Sequence, residues 1–389
     1  MQSATLIQLG VTGLLVACLP LSVVWLSSDP NKYRKLVWVA VFLTFDLIVF
    51  GGFTRLTDSG LGCPDWPGCY GLANPFLAHE QITAAEALLP SGPVTVVKAW
   101  IEMIHRYLAM AIGVLIMALM ATSLLQWRRG HRTEFQPALP IALFLFVCLQ
   151  GAFGAWTVTL KLQPVIVTIH LLLGMGLLAM LTWLGGRQNY LHAPSAAAPT
   201  ATAPAAGLAG LRIWALLTAV VLAVQIGLGG WVSTNYATLA CTEYPRCGGV
   251  WVPPMDFEHG FTLWRELGKT AAGHYLPFSA LTAIHWVHRN FALVLVAVAG
   301  WTSMLAWRHV PLRPTVRWLL AALALQAASG LATIYLSFPL AIAVLHNAGA
   351  ALLVLLVTML NYRVKFQLDA ARAAPAPEFG NALLRQQAP

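Results

Sequence analysis

Two stretches of the sequence decide its fold: residues 36–54 are LVWVAVFLTFDLIVFGGFT, and residues 211–231 are LRIWALLTAVVLAVQIGLGGW. Each is about as long as a helix that crosses the hydrocarbon core of a bilayer, which takes about 20 residues. Each contains a single charged residue, Asp46 or Arg212, and each carries a Gly-Gly pair followed by an aromatic residue near its end. The two stretches therefore predict two related membrane-spanning helices.

Similar apolar stretches recur along the chain. Hydrophobic residues make up 58% of the sequence and charged residues 10%, against about 25% charged residues in an ordinary soluble domain. This composition excludes a soluble enzyme, a disordered chain and a small disulfide scaffold. It predicts an all-α polytopic membrane protein with nine spans, at residues 5–27, 36–54, 98–127, 137–159, 164–186, 211–231, 280–307, 316–336 and 340–362.

The positive charges indicate the orientation of these spans. Lys and Arg collect in alternate loops, after the first, third, fifth, seventh and ninth spans. By the positive-inside rule this side is cytoplasmic, so we expect the N-terminus outside and the C-terminus inside. The net charge of +9 is therefore a topology signal and not a sign of nucleic-acid binding. Residues 1–28 contain no Lys or Arg, which favours a retained first span over a signal peptide.

An internal duplication organises the spans. Gly52 lies 11 residues before Cys63, and Gly230 lies 11 residues before Cys241. Further along, His-Arg pairs and Leu-Gln pairs recur in the same order, and a histidine follows each Gln by 20 residues. We interpret spans 2–5 and 6–9 as two parallel-repeat four-helix transmembrane bundles. The predicted segments are an extra span (1–35), a first half (36–192), a linker (193–210), a second half (211–365) and a disordered tail (366–389).

Four repeat-related histidines lie inside the predicted spans. Ionisable residues are costly within a membrane and are functional candidates by default. Each half supplies one histidine from its second helix and one from its fourth, all at similar depth below the outer surface, so each pair can face across a bundle. Two facing imidazoles suit the axial ligation of a haem iron, whereas zinc would need further ligands. The sequence thus predicts two haem-sized sites, with iron held by His105 and His170 in one half and by His288 and His346 in the other.

Other polar residues lie near these histidines. Glu102 precedes His105 by three residues, at the place that His285 occupies before His288. Beside a haem, such a carboxylate can carry protons or stabilise developing positive charge, but it can equally be a hydrogen-bond partner of Arg106 or of a loop amide. Arg106 and Arg289 are candidates to bind haem propionates, or else snorkelling side chains that reach the membrane surface. Gln150 and Gln326 are candidates for interhelical hydrogen bonds. Asp46 is a further candidate, for which no partner is evident.

The two long outer loops, 55–97 and 232–279, each contain a Cys-x5-Cys motif. The pairs Cys63/Cys69 and Cys241/Cys247 fit disulfides that fasten a lid over each site, because the outer compartment is oxidising. A thiol–disulfide pair that passes electrons or transiently holds substrate is the alternative. An isolated zinc site is disfavoured.

The run from Gly51 to Gly60, GGFTRLTDSG, resembles a signature of the haem A synthase family, and so do Glu102-x-x-His105-Arg106, the paired outer cysteines and the duplicated histidine helices. The resemblance covers spans 2–9. It implies oxidation of a ring methyl group of haem O to a formyl group, in steps through an alcohol, for the maturation of cytochrome oxidase.

The resemblance also implies roles for individual residues. It maps a haem B cofactor onto His288 and His346, the substrate haem O onto His105 and His170, and the catalytic carboxylate onto Glu102. It implies a bacterial inner (plasma) membrane location, contact with membrane lipid, and partners among haem O synthase, oxidase-assembly proteins and an electron donor or acceptor. Two other functions remain open: a di-haem b electron-transfer cytochrome, and a haem exporter or chaperone.

Overall fold

The computed structural model describes residues 2–192 and 205–373, and within those ranges the chain is helical with no β-strand. Nine of the described helices are long and apolar enough to cross a membrane, which confirms the predicted spans. The helices are α1 (Gln2–Leu26), α2 (Lys32–Leu56), α3 (His79–Leu88), α4 (Val96–Arg128), α5 (Ala138–Thr159), α6 (Pro164–Leu191), α7 (Ala205–Thr234), α8 (Phe257–Phe261), α9 (Phe278–Trp307), α10 (Arg313–Tyr335) and α11 (Leu340–Ala373).

Local signals explain where several helices begin. The Asn31 side chain accepts a hydrogen bond from Arg34 N–H at the start of α2, and the Thr95 hydroxyl accepts one from Lys98 N–H at the start of α4. Both are N-cap residues that satisfy a free amide of the first turn. Pro164 occupies the first position of α6, where a missing N–H costs nothing.

The contacts between helices follow the same order in both parts of the chain. Helices α2, α4, α5 and α6 contact one another as a ring, in the pairs α2–α4, α4–α5, α5–α6 and α6–α2. Helices α7, α9, α10 and α11 make the corresponding four pairs. The two rings meet through α6–α11, α2–α11 and α6–α7. A symmetry axis relating the halves remains a prediction.

Glycines allow the two rings to approach closely. A Cβ atom on Gly52 of α2 would overlap the side chain of Asn347 on α11, whose amide donates to Ile48 O at 3.1 Å. A Cβ atom on Gly186 of α6 would overlap the ring of Tyr362 on α11. Small residues at helix crossings are the usual way in which membrane helices gain close packing.

The rings are also joined at the end that carries the cysteine loops, which we call the disulfide side. Arg55 at the end of α2 donates to Ser233 O at 2.8 Å and to the Tyr236 hydroxyl at 3.0 Å. The Tyr236 hydroxyl donates to Asp58 Oδ1 at 2.6 Å. Burial raises the pKa of Tyr236, so the phenol stays protonated and keeps its donor role.

Helix α1 packs mainly against α4, outside the first ring. A Cβ on Gly13 would lie only 2.9 Å from Met110 Cβ, so a larger side chain there would separate the two helices. The Thr5 hydroxyl donates to Gly71 O at 2.8 Å, and Leu9 belongs to the apolar cluster around the first cysteine pair. The extra helix therefore braces the first cysteine loop.

The structure corrects two predicted boundaries. Helix α11 continues to Ala373, so residues 366–373 are helical and not part of a disordered tail. Two contacts explain the extension: Phe366 stacks on Tyr190 of α6 with ring centroids 4.5 Å apart, and Lys365 pairs with Asp369 one turn later. Helix α7 begins at Ala205, inside the predicted linker 193–210. Residues 193–204 and 374–389, which hold the rest of the predicted linker and tail, lie outside the described residues.

We expect Gly186→Ala to weaken the contact between the two rings. The added methyl group would overlap the Tyr362 ring, and overpacking of this kind typically costs about 1–3 kcal/mol. Thermal unfolding of the purified protein in detergent would then show a lower midpoint. The matched control is Gly300→Ala, where a Cβ meets nothing within 4 Å. Equal midpoints for both variants would contradict the assigned contact.

Candidate functional site

The cysteine pairs form disulfides in both loops, as the sequence predicts. Cys63 bonds to Cys69 and Cys241 bonds to Cys247, with Cα atoms 4.9 Å apart in each pair. All four side chains are buried. Each pair therefore fastens a loop at the disulfide side of one ring, while the exchange of electrons through either pair stays an open prediction.

Each loop is closed by a β-bridge and by an acidic side chain that accepts from backbone amides. Cys69 and Leu72 form a β-bridge, as do Cys247 and Val250. The Asp65 carboxylate accepts from the amides of Tyr70 and Gly71, at 2.6 and 2.5 Å, in the first loop. Glu243 accepts from the Gly249 amide in the second. The two loops thus share a backbone path as well as a cysteine spacing.

The arginines that follow His105 and His288 hold these loops. Arg106 donates to the backbone carbonyls of Asp65, Pro67 and Gly68. Arg289 donates in the same way to Glu243 O at 2.8 Å, Arg246 O at 3.0 Å and Pro245 O at 3.1 Å. These contacts give the guanidinium groups a structural role that the sequence analysis did not foresee. Contact with haem propionates remains a prediction.

Glu102 is buried and bound at both carboxylate oxygens. One oxygen pairs with Arg106, and the other accepts from the Cys63 amide at 2.8 Å. This is the hydrogen-bonded arrangement that the sequence analysis weighed against a catalytic role. In the second ring His285 takes the same position, with its Nδ1 accepting from the Cys241 amide at 3.3 Å. Both side chains tie a cysteine loop to a helix, but only Glu102 does so with a carboxylate.

A glycine on a neighbouring helix faces each of the four predicted ligand histidines. A Cβ on Gly51 would lie 2.9 Å from His105 Nε2, and one on Gly229 would lie 2.8 Å from His288 Cε1. A Cβ on Gly154 would lie 3.1 Å from His170 Cε1, and one on Gly330 would lie 3.2 Å from His346 Cε1. A larger residue at any of these positions would press on an imidazole, so the glycines keep a space open around each ring.

His105 lies near His170, and His288 lies near His346. Joint binding of an iron by each pair stays a prediction. Gln150 and Gln326 lie on α5 and α10 beside the second histidine of each pair, with their amide nitrogens 3.5 Å from His170 Nε2 and 3.3 Å from His346 Nε2. Asp46, in contrast, is exposed on α2.

The donor set suits a planar group bound by two imidazoles. Within residues 2–192 and 205–373, no three His, Cys, Asp or Glu side chains cluster as a zinc centre would require. His170 Nδ1 is buried without a hydrogen-bond partner, and the glycines let each imidazole lie close to the backbone of the neighbouring helix. Both observations fit a haem between the histidines of a pair.

Two further polar residues contact histidines and were missed by the sequence analysis. The Gln225 amide lies 3.1 Å from His288 Nδ1, and Ser329 Oγ lies 2.8 Å from His346 Nδ1. Neither belongs to a recurring motif, because the first half has Leu47 and Phe153 at the matched positions. Comparing the halves position by position for differences, as well as for matches, would have found both.

Sequence comparisons place the chain beside known proteins. The family described as cytochrome oxidase assembly protein, COX15-CtaA, matches residues 34–358. A protein of Shewanella oneidensis named Heme A synthase is 36% identical over 335 residues, covering 84% of this chain and 96% of that protein. Proteins of the same name from Sinorhizobium medicae and Caulobacter sp. are 30% and 27% identical, covering 83% and 88% of this chain and 88% and 98% of their own.

We expect Arg106→Gln to loosen the first cysteine loop. The change removes donors from buried carbonyls, and an unsatisfied buried group costs about 1–3 kcal/mol. Amide hydrogen exchange of residues 63–71 would become faster, while the loop at 241–250 would keep its protection. Arg308→Gln is the control, because Arg308 is exposed. Unchanged exchange in the first loop would refute this role of Arg106.

Proposed function

The chain belongs to the COX15-CtaA family of cytochrome oxidase assembly proteins, and we propose that its two halves hold two different haems. It is a multi-pass membrane enzyme, a haem A synthase acting on haem O. The resemblance noted in the GGFTRLTDSG run and the histidine helices is thereby confirmed.

The observation that carries the proposal is the repetition of one cradle in two rings. Each cradle has two histidines, a glycine facing each histidine and a disulfide loop bound by an arginine. Two cradles of the same construction suit two ligands of nearly the same shape, such as haem B and haem O. Their polar neighbours differ, which suits one ligand that stays and one that is altered.

We assign haem B to His288 and His346, and haem O to His105 and His170. Haem B in the second half would supply electron transfer. In the first half, the two imidazoles would orient the substrate by its iron, and Gly51 and Gly154 let each imidazole lie against the neighbouring helix. With the ring held at a fixed angle, one methyl group can be presented to the same protein groups in every turnover.

Glu102 is the residue that we propose to act on that methyl group. It lies on α4 one helical turn before His105, so a haem bound by His105 would have this carboxylate near its edge. Hydrogen bonds from Arg106 and the Cys63 amide hold it in one position. A fixed negative charge stabilises positive charge that develops on a reacting carbon, because no reorganisation is needed at that moment. The same bonds make Glu102 part of the loop, so a test must separate the two roles.

Because both halves contain the same pair of histidines, one alternative function is a cytochrome with two permanent haem B groups. Against it stands the contrast between Glu102 and His285 at matched positions, since an electron-transfer protein has no need for a carboxylate at only one haem. A haem exporter or chaperone would bind without changing its ligand. Chemical identification of the bound haems distinguishes these functions.

We further propose that the protein lies in the bacterial inner membrane with its disulfide side outward and its C-terminus in the cytoplasm. The Lys and Arg residues of alternate loops support this orientation. Disulfides on the outer side also agree with an oxidising compartment. Haem O synthase, oxidase-assembly proteins and an electron donor or acceptor are the partners that this function implies.

The assignment of the two haems predicts opposite losses in two double variants. We expect His288→Ala/His346→Ala to lose haem B, and His105→Ala/His170→Ala to keep haem B but lose haem O, haem A and the alcohol intermediate. Chromatography with mass detection of the extracted haems measures both. Two equivalents of haem B in the unaltered protein, with no conversion of added haem O, would instead establish the electron-transfer cytochrome.

The role of Glu102 is tested by replacing it with histidine, the residue that occupies the matched position 285 in the second half. Glu102→His offers the Cys63 amide an imidazole acceptor, as His285 does for Cys241, but removes the carboxylate. We expect the variant to keep its disulfide and bind haem O while the formation of haem A falls at least about 100-fold, the scale typical of losing an electrostatic contact of this kind.

Two companion variants complete that test. Glu102→Ala removes both the carboxylate and the acceptor, and should lose loop protection as well as activity. His285→Glu in the second half controls for the insertion of a carboxylate. Normal haem A formation by Glu102→His would show that the loop contact is the whole role of Glu102.

A further inference from the structure

Both histidines of the second half have a polar side chain at the ring nitrogen Nδ1. Ser329 Oγ lies 2.8 Å from Nδ1 of His346, and the Gln225 amide lies 3.1 Å from Nδ1 of His288. A histidine that binds metal through Nε2 usually donates its Nδ1 proton to such a partner, which fixes the tautomer and the ring orientation. The second half therefore has the supporting contacts of a ligand pair.

The contacts of Ser329 indicate which nitrogen of His346 carries the proton. The Ser329 hydroxyl donates to Gln326 O at 3.0 Å, so its oxygen accepts from Nδ1–H of His346. The Gln326 amide nitrogen lies 3.3 Å from Nε2, where it can donate only to an unprotonated nitrogen. Both neighbours thus select the tautomer with an unprotonated Nε2, whose lone pair a metal would take in place of the Gln326 amide.

Gln225 provides a second contact of this type on the opposite helix. Its amide nitrogen contacts His288 Nδ1 and also donates to His288 O at 3.1 Å, while its Oε1 is buried without a partner. A half-turn of the amide exchanges oxygen and nitrogen. The oxygen then accepts from Nδ1–H in exchange for the amide bond to His288 O, so Gln225 supports the metal-binding tautomer of His288 only in that orientation.

The first half lacks both contacts. Leu47 and Phe153 take the places of Gln225 and Ser329, and neither has a polar side-chain atom. His170 Nδ1 is accordingly buried with no hydrogen-bond partner. Phe153 instead packs its ring against Trp156, with centroids 5.0 Å apart. The same cradle is therefore built with supported histidines in one half and with an unsupported His170 in the other.

We propose that Gln225 and Ser329 are positioning residues that make the second half a permanent haem site, and that Leu47 and Phe153 make the first half a site that releases its haem. This inference rests on the proposed function, in which a cofactor stays while substrate and product exchange. The loss of such a supporting contact typically weakens metal binding about 10–100-fold. That range is large enough to separate a resident haem from an exchanging one.

The test uses a protein in which only the second site remains, His105→Ala/His170→Ala. In this background we expect Ser329→Ala to release haem to an apo-globin acceptor at least about tenfold faster. The midpoint potential of the remaining haem should rise, because the hydrogen bond makes the ligand more basic and favours ferric iron. Ser329→Thr keeps the hydroxyl group and should restore both values. Phe153→Ala is the matched control, since it shortens the equivalent side chain without touching His346.

A gain-of-function variant tests the first half independently of any loss of folding. Phe153→Ser gives His170 the hydroxyl partner that His346 has, so haem B added to His288→Ala/His346→Ala protein should dissociate about tenfold more slowly with the serine than without it. Unchanged dissociation in this variant, or Ser329→Ala values equal to those of Phe153→Ala, would overturn the inference.

Failure of the proposed function has a different signature. If the His105→Ala/His170→Ala protein contains no haem, the second half is not the cofactor site, and the inference falls with it. If that protein contains haem B but Ser329→Ala changes neither the release rate nor the potential, the assignment of the halves stands and only the role of Ser329 and Gln225 is refuted.

Discussion

The structure depends on one constraint, which is that four imidazoles must lie inside an apolar helical bundle. An unpaired polar group is costly to bury, so each ring needs either a partner or a ligand. Each also needs space, and a glycine on the adjacent helix provides it at Gly51, Gly154, Gly229 and Gly330. The Gly-Gly pair of α2 makes room for a histidine and also lets the two rings pack closely. Gly51 faces His105, and Gly52 faces α11 of the other ring.

The loops at the disulfide side follow from the same helices. The residue after the first histidine of each half is an arginine, and its guanidinium group collects the carbonyls of a short disulfide loop. One turn earlier, Glu102 or His285 accepts from the first cysteine amide of that loop. The ligand helix and the loop above it are thus one unit, so a change at Glu102 acts on the site and on its cover together.

Three differences between the halves lie at the histidine pairs. Glu102 stands opposite His285, Phe153 opposite Ser329, and Leu47 opposite Gln225. Helix α1 braces the first loop through Thr5 and Leu9. The second half has polar partners at both histidines, whereas the first half has a carboxylate and an unsupported His170. The same cradle recurs in both halves, and we propose that these differences separate a resident haem site from a substrate site.

The nine spans, the disulfide pairs and the family were all predictable from the sequence, because hydropathy, residue spacing and the GGFTRLTDSG run are local properties of the chain. Tertiary contacts decided the rest. Helix α11 continues to Ala373, and the ring of Phe366 stacks on Tyr190 of α6. A contact between two helices cannot be recognised from the local sequence of either one. Arg106 binds loop carbonyls, and Ser329 and Gln225 reach histidines on other helices, through distances that exist only after the helices pack. The sequence by itself determined which residues lie in the membrane, and packing alone decided which of them support one another.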